Sequence, residues 1–325
     1  MADGPLLGNL GQLVQPVLVV NLDAPCAPPV PSDRLLIGVA TGPLDKPRRD
    51  QASRLDLTLV PRGTVVGRQF AGSADPRADA DMLRAAAEEN PQAALTLAAV
   101  LRARPPDVMA ALDLESFAYS TLLGGAEFAR WLKRRGPRRS PSPSPHPPIL
   151  VERTDARLHI TLNRPERRNA YSRELRDALV EALRLAVLDD SIQAVVLDGA
   201  GPSFSAGGDL AEFGTTPDLA TAHFVRTRGG AGQLLYRLSG RLEARVHGSC
   251  VGAGIELPAF AGRVIARTGT TFRLPEVSMG VIPGAGGTVS IPRRIGRWRA
   301  LYLALSGRPL DTATALEWRL IDAIE

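Results

Sequence analysis

Two glutamates near glycine-rich stretches are the residues of this 325-residue chain best placed to do chemistry. Glu256 ends a glycine-rich run that begins at His247, and Glu276 follows twenty positions later. Glycine lets a backbone N–H approach a ligand closely, and a helix that starts after such a run points its first N–H groups at developing negative charge. Two carboxylates near that point can divide the work of a general acid and a general base. The pattern predicts a site for proton transfer.

A second glycine loop lies at residues 204–210 (FSAGGDL). A predicted strand precedes each loop, at 194–198 and at 242–246, and open α/β sheets bind ligands at the carboxyl ends of their strands. Amides from the two loops can therefore converge on one carbonyl oxygen as an oxyanion hole, which the repetition of the pattern favours. The alternative is that the glycines only make tight turns. The glycines concerned are Gly207, Gly208, Gly252 and Gly254.

The environment of Glu256 has two interpretations. A glutamate after an apolar run seldom stays unpaired, because burying a charge is costly. Glu256 is either ion-paired, with Arg245 or Arg273 as candidate partners, or kept for proton transfer with a raised pKa. The presence of Glu276 favours proton transfer.

Composition limits the class of protein. Hydrophobic residues make up 44% of the chain and charged residues 22%, as in globular proteins. Cys26 and Cys250 are the only cysteines, which predicts neither a disulfide framework nor a zinc site. No apolar run is long enough to span a membrane, so we expect a soluble, cytoplasmic protein without a membrane partner. The net charge of +5 comes largely from residues 133–139, beside a Pro/Ser run, and predicts no nucleic-acid partner.

The N-terminal part of the chain has the pattern of a small α/β domain that ends in helices. Short apolar runs predict strands, and a later change to helical spacing predicts helices. The predicted strands are 17–22, 35–40 and 55–60, and the predicted helices are 79–101, broken at Pro91, and 107–135, broken at Gly124-Gly125. We assign this domain to residues 1–133.

Alternating Pro and Ser predict an extended linker over residues 134–148, because such a segment has no packed core. The second domain, residues 149–325, opens with a predicted hairpin. A helix capped by Ser172 and a buried parallel strand at 194–198 follow. A further helix is predicted over 219–238.

Six ordered segments of the second domain resemble the crotonase (enoyl-CoA hydratase/isomerase) superfamily. They are 162–170 (LNRPERRNA), 204–210 (FSAGGDL), 248–257 (GSCVGAGIEL), 274–276 (LPE), 280–288 (GVIPGAGGT) and 305–310 (LSGRPL). The resemblance implies an α/β fold with a crotonase-like ββα spiral core behind the N-terminal α/β domain. It also implies an acyl-CoA substrate, with coenzyme A as part of that substrate, no separate cofactor and no metal. Family members are usually homo-oligomers, so a trimer or hexamer is expected.

The resemblance also implies roles for individual residues. Gly208 and Ala253 match the two oxyanion-hole donors, and Glu256 and Glu276 match the glutamates that hold and activate water in hydratases. One glutamate would act as base on the water, and the other would exchange the α-proton. Positions along the path of coenzyme A and pantetheine match Arg168, Ala170, Ala206, Gly207, Asp209, Leu210 and Gly252.

The pair of glutamates favours syn hydration of a 2-enoyl-CoA, or the reverse dehydration, because family isomerases generally keep one carboxylate. One alternative is an enoyl-CoA isomerase or another thioester-enolate enzyme. An alternative of another class is a non-catalytic crotonase-fold scaffold or RNA-binding protein. The acyl pocket is expected after Leu210, and its candidate lining residues are Phe213, Phe224, Arg226 and Tyr236.

Local departures from the family pattern lead to further expectations. Residues 241–245 (RLEAR) are charged where an apolar strand is usual, so either the strand is half exposed or Glu243 and Arg245 have specific partners. Ala253 stands where glycine is usual, which is tolerable because only its N–H is needed. Pro258 removes a helical hydrogen bond shortly after Glu256.

The largest departure concerns helices that the family core carries after the segment matching residues 320–324. Here the sequence ends at Glu325, whereas residues 114–128 resemble the C-terminal helical signature of some family members. We therefore expect residues 107–133 to cover the acyl site.

Overall fold

The computed structural model describes residues 4–24, 33–64, 67–103, 105–138 and 144–325. Residues 139–143 of the predicted linker and Cys26 lie outside these ranges. The domain boundaries at 133 and 149 therefore stay predictions.

The N-terminal strands form a four-stranded parallel sheet in the order in which they occur in the chain. They are β1 (Val17–Asn21), β2 (Leu35–Val39), β3 (Leu57–Pro61) and β4 (Phe70–Ser73). The helices are α1 (Lys46–Arg54), α2 (Pro76–Glu89), α3 (Pro91–Arg102), α4 (Val108–Leu123) and α5 (Ala126–Arg135). The predicted strands and helices are confirmed, with Pro91 in the first turn of α3, whereas α1 and β4 were not predicted.

The C-terminal part contains a six-stranded and a three-stranded sheet. The first has the order β13-β10-β8-β7-β6-β5 and is parallel except for the β5–β6 hairpin, and the second has the order β12-β11-β9. The strands are β5 (Ile149–Thr154), β6 (Arg157–Leu162), β7 (Ala194–Gly199), β8 (Leu242–Val246), β9 (Ser249–Val251), β10 (Arg263–Ala266), β11 (Thr271–Arg273), β12 (Leu310–Asp311) and β13 (Ala323–Ile324). The helices are α6 (Arg173–Leu188), α7 (Leu219–Arg228), α8 (Gly232–Arg237), α9 (Ala253–Glu256), α10 (Gly287–Ile295), α11 (Arg297–Ser306) and α12 (Thr312–Trp318).

Two helices are shorter than their sequence patterns suggest. The predicted helix over 219–238 is two helices, α7 and α8, because the poor helix formers Gly229 and Gly230 separate them. Helix α9 is a single turn, since Pro258 has no N–H to continue it and begins a 3-10 turn instead. Ser172 caps α6 as predicted, with its hydroxyl accepting from the Leu175 amide at 3.2 Å.

Helices from the two predicted domains pack against each other. Helices α2 and α3 contact α11, and α4 contacts α7 and α10. Residues of both parts share one hydrophobic cluster that extends from Val17 to Ile321. Polar contacts cross the same boundary, since Trp298 Nε1 donates to the Leu55 carbonyl at 3.1 Å. Helix α4 therefore packs against helices of both predicted domains.

The charged strand β8 is both half exposed and provided with partners. Its side chains alternate between buried and more exposed positions along the strand. Glu243 accepts from Arg245 at 2.8 Å and from Arg263 at 3.1 Å on the exposed face. Both expectations for Glu243 and Arg245 are therefore confirmed.

Two features are absent from the described ranges. No helix there is both long and apolar enough to cross a membrane. No group of three or more His, Cys, Asp or Glu side chains in the same ranges is arranged to hold a metal ion.

Candidate active site

The two glycine loops lie against each other, backbone to backbone. The Val251 amide donates to the Ser205 carbonyl at 3.1 Å. Gly207 has φ +89°, and a Cβ built on it would lie 2.6 Å from the Val251 carbonyl oxygen. Both the left-handed conformation and the close approach require glycine at this position. The glycines therefore do more than make tight turns, because they let the two loops meet.

The two amides predicted to form the oxyanion hole belong to the wall of one cavity. Gly208 and Ala253 both line it. Ala253 is the first residue of α9, where a helical N–H has no intrahelical acceptor. Neither amide donates a hydrogen bond to another residue that the structure describes. Both N–H groups are therefore available to a ligand oxygen.

The cavity has a water-accessible volume of about 230 Å³. Its walls come from α4, the loop after β7, α7 with the turn that follows it, α9, and the loop before α10. One water occupies about 30 Å³ in the liquid. The space is therefore several times larger than one water molecule.

Glu256 is buried and bound by backbone amides. Its Oε2 accepts from the Ala285 amide at 2.7 Å and from the Gly287 amide at 2.9 Å. The candidate ion-pair partners are occupied elsewhere, since Arg245 pairs with Glu243 and Arg273 Nε donates to the Gly307 carbonyl. The ion-pair interpretation of Glu256 is therefore wrong.

Glu276 faces Glu256 across Gly252. A Cβ built on Gly252 would overlap Oε1 of Glu276 and lie 3.7 Å from Oε1 of Glu256. The φ of +50° at Gly252 is a second reason for glycine there. Oε2 of Glu276 is buried, and no described residue donates to it. Each glutamate therefore offers an oxygen to the space between them.

Burial controls the protonation of this pair. It raises the pKa of Glu276 to about 8. Burial raises the pKa of Glu256 well above its ordinary value, and the charges of Glu276 and Glu115 raise it further. Hydrogen bonds from two amides oppose this shift at Glu256 without cancelling it. Near neutral pH the pair therefore retains protons that an exposed glutamate would have lost.

A third buried carboxylate, Glu115 of α4, was missed by the sequence analysis. Its Oε1 accepts from the Gly286 amide at 2.7 Å. Its Oε2 accepts from the Thr288 amide at 2.8 Å and from the Thr288 hydroxyl at 2.7 Å. Burial raises the pKa of Glu115 to about 7 despite these bonds. A signal was present, because Glu115 follows the buried Leu112 by three positions and lies on the same face of the helix.

The loop at residues 284–288 holds two of these carboxylates through alternating amides. Ala285 and Gly287 donate to Glu256, whereas Gly286 and Thr288 donate to Glu115. These amides are at the start of α10, where free N–H groups and the helix dipole favour negative charge. A shift of Glu115 would therefore move the loop that binds Glu256.

Helix α4, which belongs to the predicted cover over residues 107–133, forms one wall of the cavity. Leu112, Glu115, Ser116, Tyr119 and Leu123 line the cavity from this helix. Arg135 at the end of α5 donates to the carbonyl of Leu210 in the opposite loop. Residues of the predicted cover therefore lie against this cavity, and the identity of the cavity as the acyl site stays a prediction.

The residues predicted along the coenzyme A path lie in or beside the two loops. Of these, only Asp209 lines the cavity, and its carboxylate pairs with Arg167 Nη2 at 2.6 Å. The others form the loop backbones behind the wall, and Arg168 is exposed with its carbonyl accepting from the Ala206 amide. Their contact with coenzyme A stays a prediction. They are Arg168, Ala170, Ala206, Gly207, Leu210 and Gly252.

The four candidates for the acyl pocket divide into two pairs. Phe213 and Arg226 line the cavity. Phe224 is 59% exposed and Tyr236 is 43% exposed, and neither belongs to the cavity wall.

The fold and the paired loops define a crotonase-type enzyme. Residues 152–325 match the family model described as enoyl-CoA hydratase/isomerase, so the chain belongs to this family and has the crotonase fold. An enoyl-CoA hydratase structure from Mycobacterium smegmatis is 30% identical, with a TM-score of 0.51. That match covers 55% of this chain and 70% of the other.

Two relatives come from Escherichia coli (strain K12). A 2,3-dehydroadipyl-CoA hydratase is 36% identical over 179 residues, and a 1,2-epoxyphenylacetyl-CoA isomerase is 37% identical over 169 residues. The matches cover 54% and 50% of this chain and 68% and 64% of those proteins. The chain therefore spans about two thirds of the length of each relative, and relatives include both a hydratase and an isomerase.

Proposed function

We propose that this enzyme is an enoyl-CoA hydratase that adds water to a 2-enoyl-CoA thioester, or removes it in reverse. The observation that carries the proposal is the arrangement of Glu256 and Glu276. Both are buried, both offer an oxygen to the space across Gly252, and both lie in the cavity that Gly208 and Ala253 also line. A hydratase needs two proton-handling groups, whereas a double-bond shift needs one.

In the proposed reaction, the amides of Gly208 and Ala253 bind the thioester oxygen. One ionised glutamate takes a proton from water, and the water oxygen attacks the β-carbon. Negative charge then develops on the thioester oxygen, where the two amides stabilise it. The other glutamate gives its proton to the α-carbon, so that the two carboxylates exchange protonation states and one water is added.

Coenzyme A is part of the substrate in this scheme, and its phosphates and pantetheine are proposed to follow the loops at 168–170 and 206–210. No further cofactor takes part. A cytoplasmic location and a trimeric or hexameric assembly are proposed from the family resemblance, and size-exclusion chromatography with light scattering tests the assembly.

Loss of the enoyl-thioester absorbance on incubation with crotonyl-CoA and longer 2-enoyl-CoAs tests the proposal. Glu276→Gln is expected to lower kcat by about 100-fold or more, as loss of general acid–base catalysis does. Glu317→Gln, on the exposed face of α12, is the matched control and is expected to keep full activity. Unchanged activity in Glu276→Gln would contradict the mechanism.

The isomerase alternative is favoured by the E. coli epoxyphenylacetyl-CoA isomerase among the relatives. It predicts the opposite signal with a 3-enoyl-CoA, since migration of the double bond into conjugation increases the absorbance. An enzyme that changes neither substrate, and binds RNA in moderate salt, would instead support the non-catalytic scaffold.

A further inference from the structure

Arg226 of α7 brings a positive charge to the cavity that the proposed reaction does not use. Its side chain contributes to the cavity wall where α7 packs against α4. Nε donates to the Ser116 hydroxyl at 3.1 Å, and Nη2 donates to the Ser120 hydroxyl and, at 3.4 Å, to the Ser116 carbonyl. Neutral groups of α4 therefore fix the guanidinium in place.

The charge of Arg226 has no ion-pair partner among the described residues. No carboxylate there lies within ion-pairing distance of it, and none of these residues accepts a hydrogen bond from Nη1. Arg228 on the same helix differs, because it is more exposed and pairs with Asp113 at 2.8 Å. The charge of Glu115 acts on Arg226 only at longer range, so this largely buried cation has no counter-ion in contact with it, which is unfavourable unless a ligand supplies the negative charge.

The contacts of Tyr119 show where the Arg226 guanidinium lies relative to Glu256. The guanidinium lies 4.8 Å from the centroid of the Tyr119 ring. The ring in turn packs against Gly284, at the start of the loop that binds Glu256. One aromatic ring thus separates Arg226 from the catalytic loop. Arg226 is therefore placed to contact the acyl chain rather than the thioester, which Gly208 and Ala253 bind in the proposed reaction.

We propose that Arg226 binds a carboxylate at the far end of the acyl chain, so that the preferred substrate is a thioester of a dicarboxylic acid. The inference rests on the proposed function only in that the cavity binds an acyl-CoA. A carboxylate accepts charge-assisted hydrogen bonds from a guanidinium and neutralises it, whereas a terminal methyl group does neither. A phosphate of coenzyme A has the same chemistry, and the experiment separates the two sources.

The test measures binding, so that it does not depend on turnover. Calorimetry compares saturated acyl-CoAs that end in a carboxylate with those that end in a methyl group, at four, six and eight carbons. Free coenzyme A is measured alongside. The wild type is expected to bind the acid-ended thioester about 10- to 100-fold more tightly at one or more lengths, as for a hydrogen bond to a charged group.

Variants assign this preference to Arg226. Arg226→Gln is expected to abolish the preference, Arg226→Lys to restore part of it because the charge remains, and Arg228→Gln to leave it intact. Thermal unfolding of each variant monitors the packing of α7 on α4.

Three results would overturn the inference. The first is that the wild type binds acid-ended and methyl-ended thioesters equally well. The second is that the preference for acid-ended thioesters survives in Arg226→Gln. The third is that Arg226→Gln loses as much affinity for free coenzyme A as for the acid-ended thioesters, which would assign Arg226 to a phosphate. Hydration of methyl-ended 2-enoyl-CoAs without any preference would leave the hydratase proposal standing. Acid-ended binding without hydration would remove the hydratase proposal alone.

Discussion

Replacing Glu115 by glutamine tests whether the cover helix takes part in catalysis. The carboxylate of Glu115 accepts three hydrogen bonds from Gly286 and Thr288. Glutamine keeps the shape and one oxygen, so at least one donor loses its acceptor and the new NH₂ group faces an N–H. A buried donor without an acceptor costs about 1–3 kcal/mol. We expect the free energy of unfolding to fall by about that amount.

The effect on activity follows from the loop that Glu115 shares with Glu256. Ala285 and Gly287, which bind Glu256, alternate with the two residues that bind Glu115. A displacement of about 1 Å in a catalytic group lowers the rate by about 100-fold. We therefore expect kcat for hydration to fall by about 10- to 100-fold in Glu115→Gln.

Glu127→Gln is the matched control for this substitution. Glu127 is also buried, and it accepts from the Gln92 amide at 2.7 Å and from the Ala93 amide at 3.0 Å at the start of α3. It does not line the cavity. Urea unfolding is expected to show a similar loss of stability in both variants, with kcat lowered only in Glu115→Gln. If folded Glu115→Gln and folded Glu127→Gln have the same kcat, Glu115 does not position the loop at residues 284–288.

Two other predictions concern Glu276. Because burial raises its pKa to about 8 and hydration needs an ionised base, kcat/KM is expected to rise about tenfold per pH unit up to near pH 8. In Glu115→Gln this rise should occur at lower pH, because the charge of Glu115 contributes to the raised pKa of Glu276. A flat profile between about pH 6 and 8 in the wild type would contradict the raised pKa of Glu276. Gly252→Ala is expected to lower kcat/KM by about 100-fold, because its Cβ would displace Glu276. Gly269→Ala, at φ +81° with open space around it, carries similar backbone strain and should retain activity.

The site residues that could be predicted from the sequence are those whose role depends on residues close to them in the chain. The glycine loops could be recognised because each follows a predicted strand, and the cap at Ser172 because its acceptor and donor are three positions apart. Glu115 was missed because its donors lie 171 and 173 positions away, and helical periodicity does not indicate what a buried face contacts. The same limit applies to Arg226, whose serine and tyrosine neighbours belong to a distant helix.

Helix α4 is separated by more than 150 residues from the loop at 284–288 that it contacts, and this separation affects how the protein folds during synthesis. During synthesis, the face of α4 that carries Leu112 and Glu115 is complete long before residues 284–288 exist to cover it. Contacts that distant along the chain are made late, because closing a long loop costs conformational entropy before the contacts stabilise it. A nascent chain therefore carries an uncovered, partly apolar helix that is prone to aggregation, and it has no catalytic cavity until α10 docks.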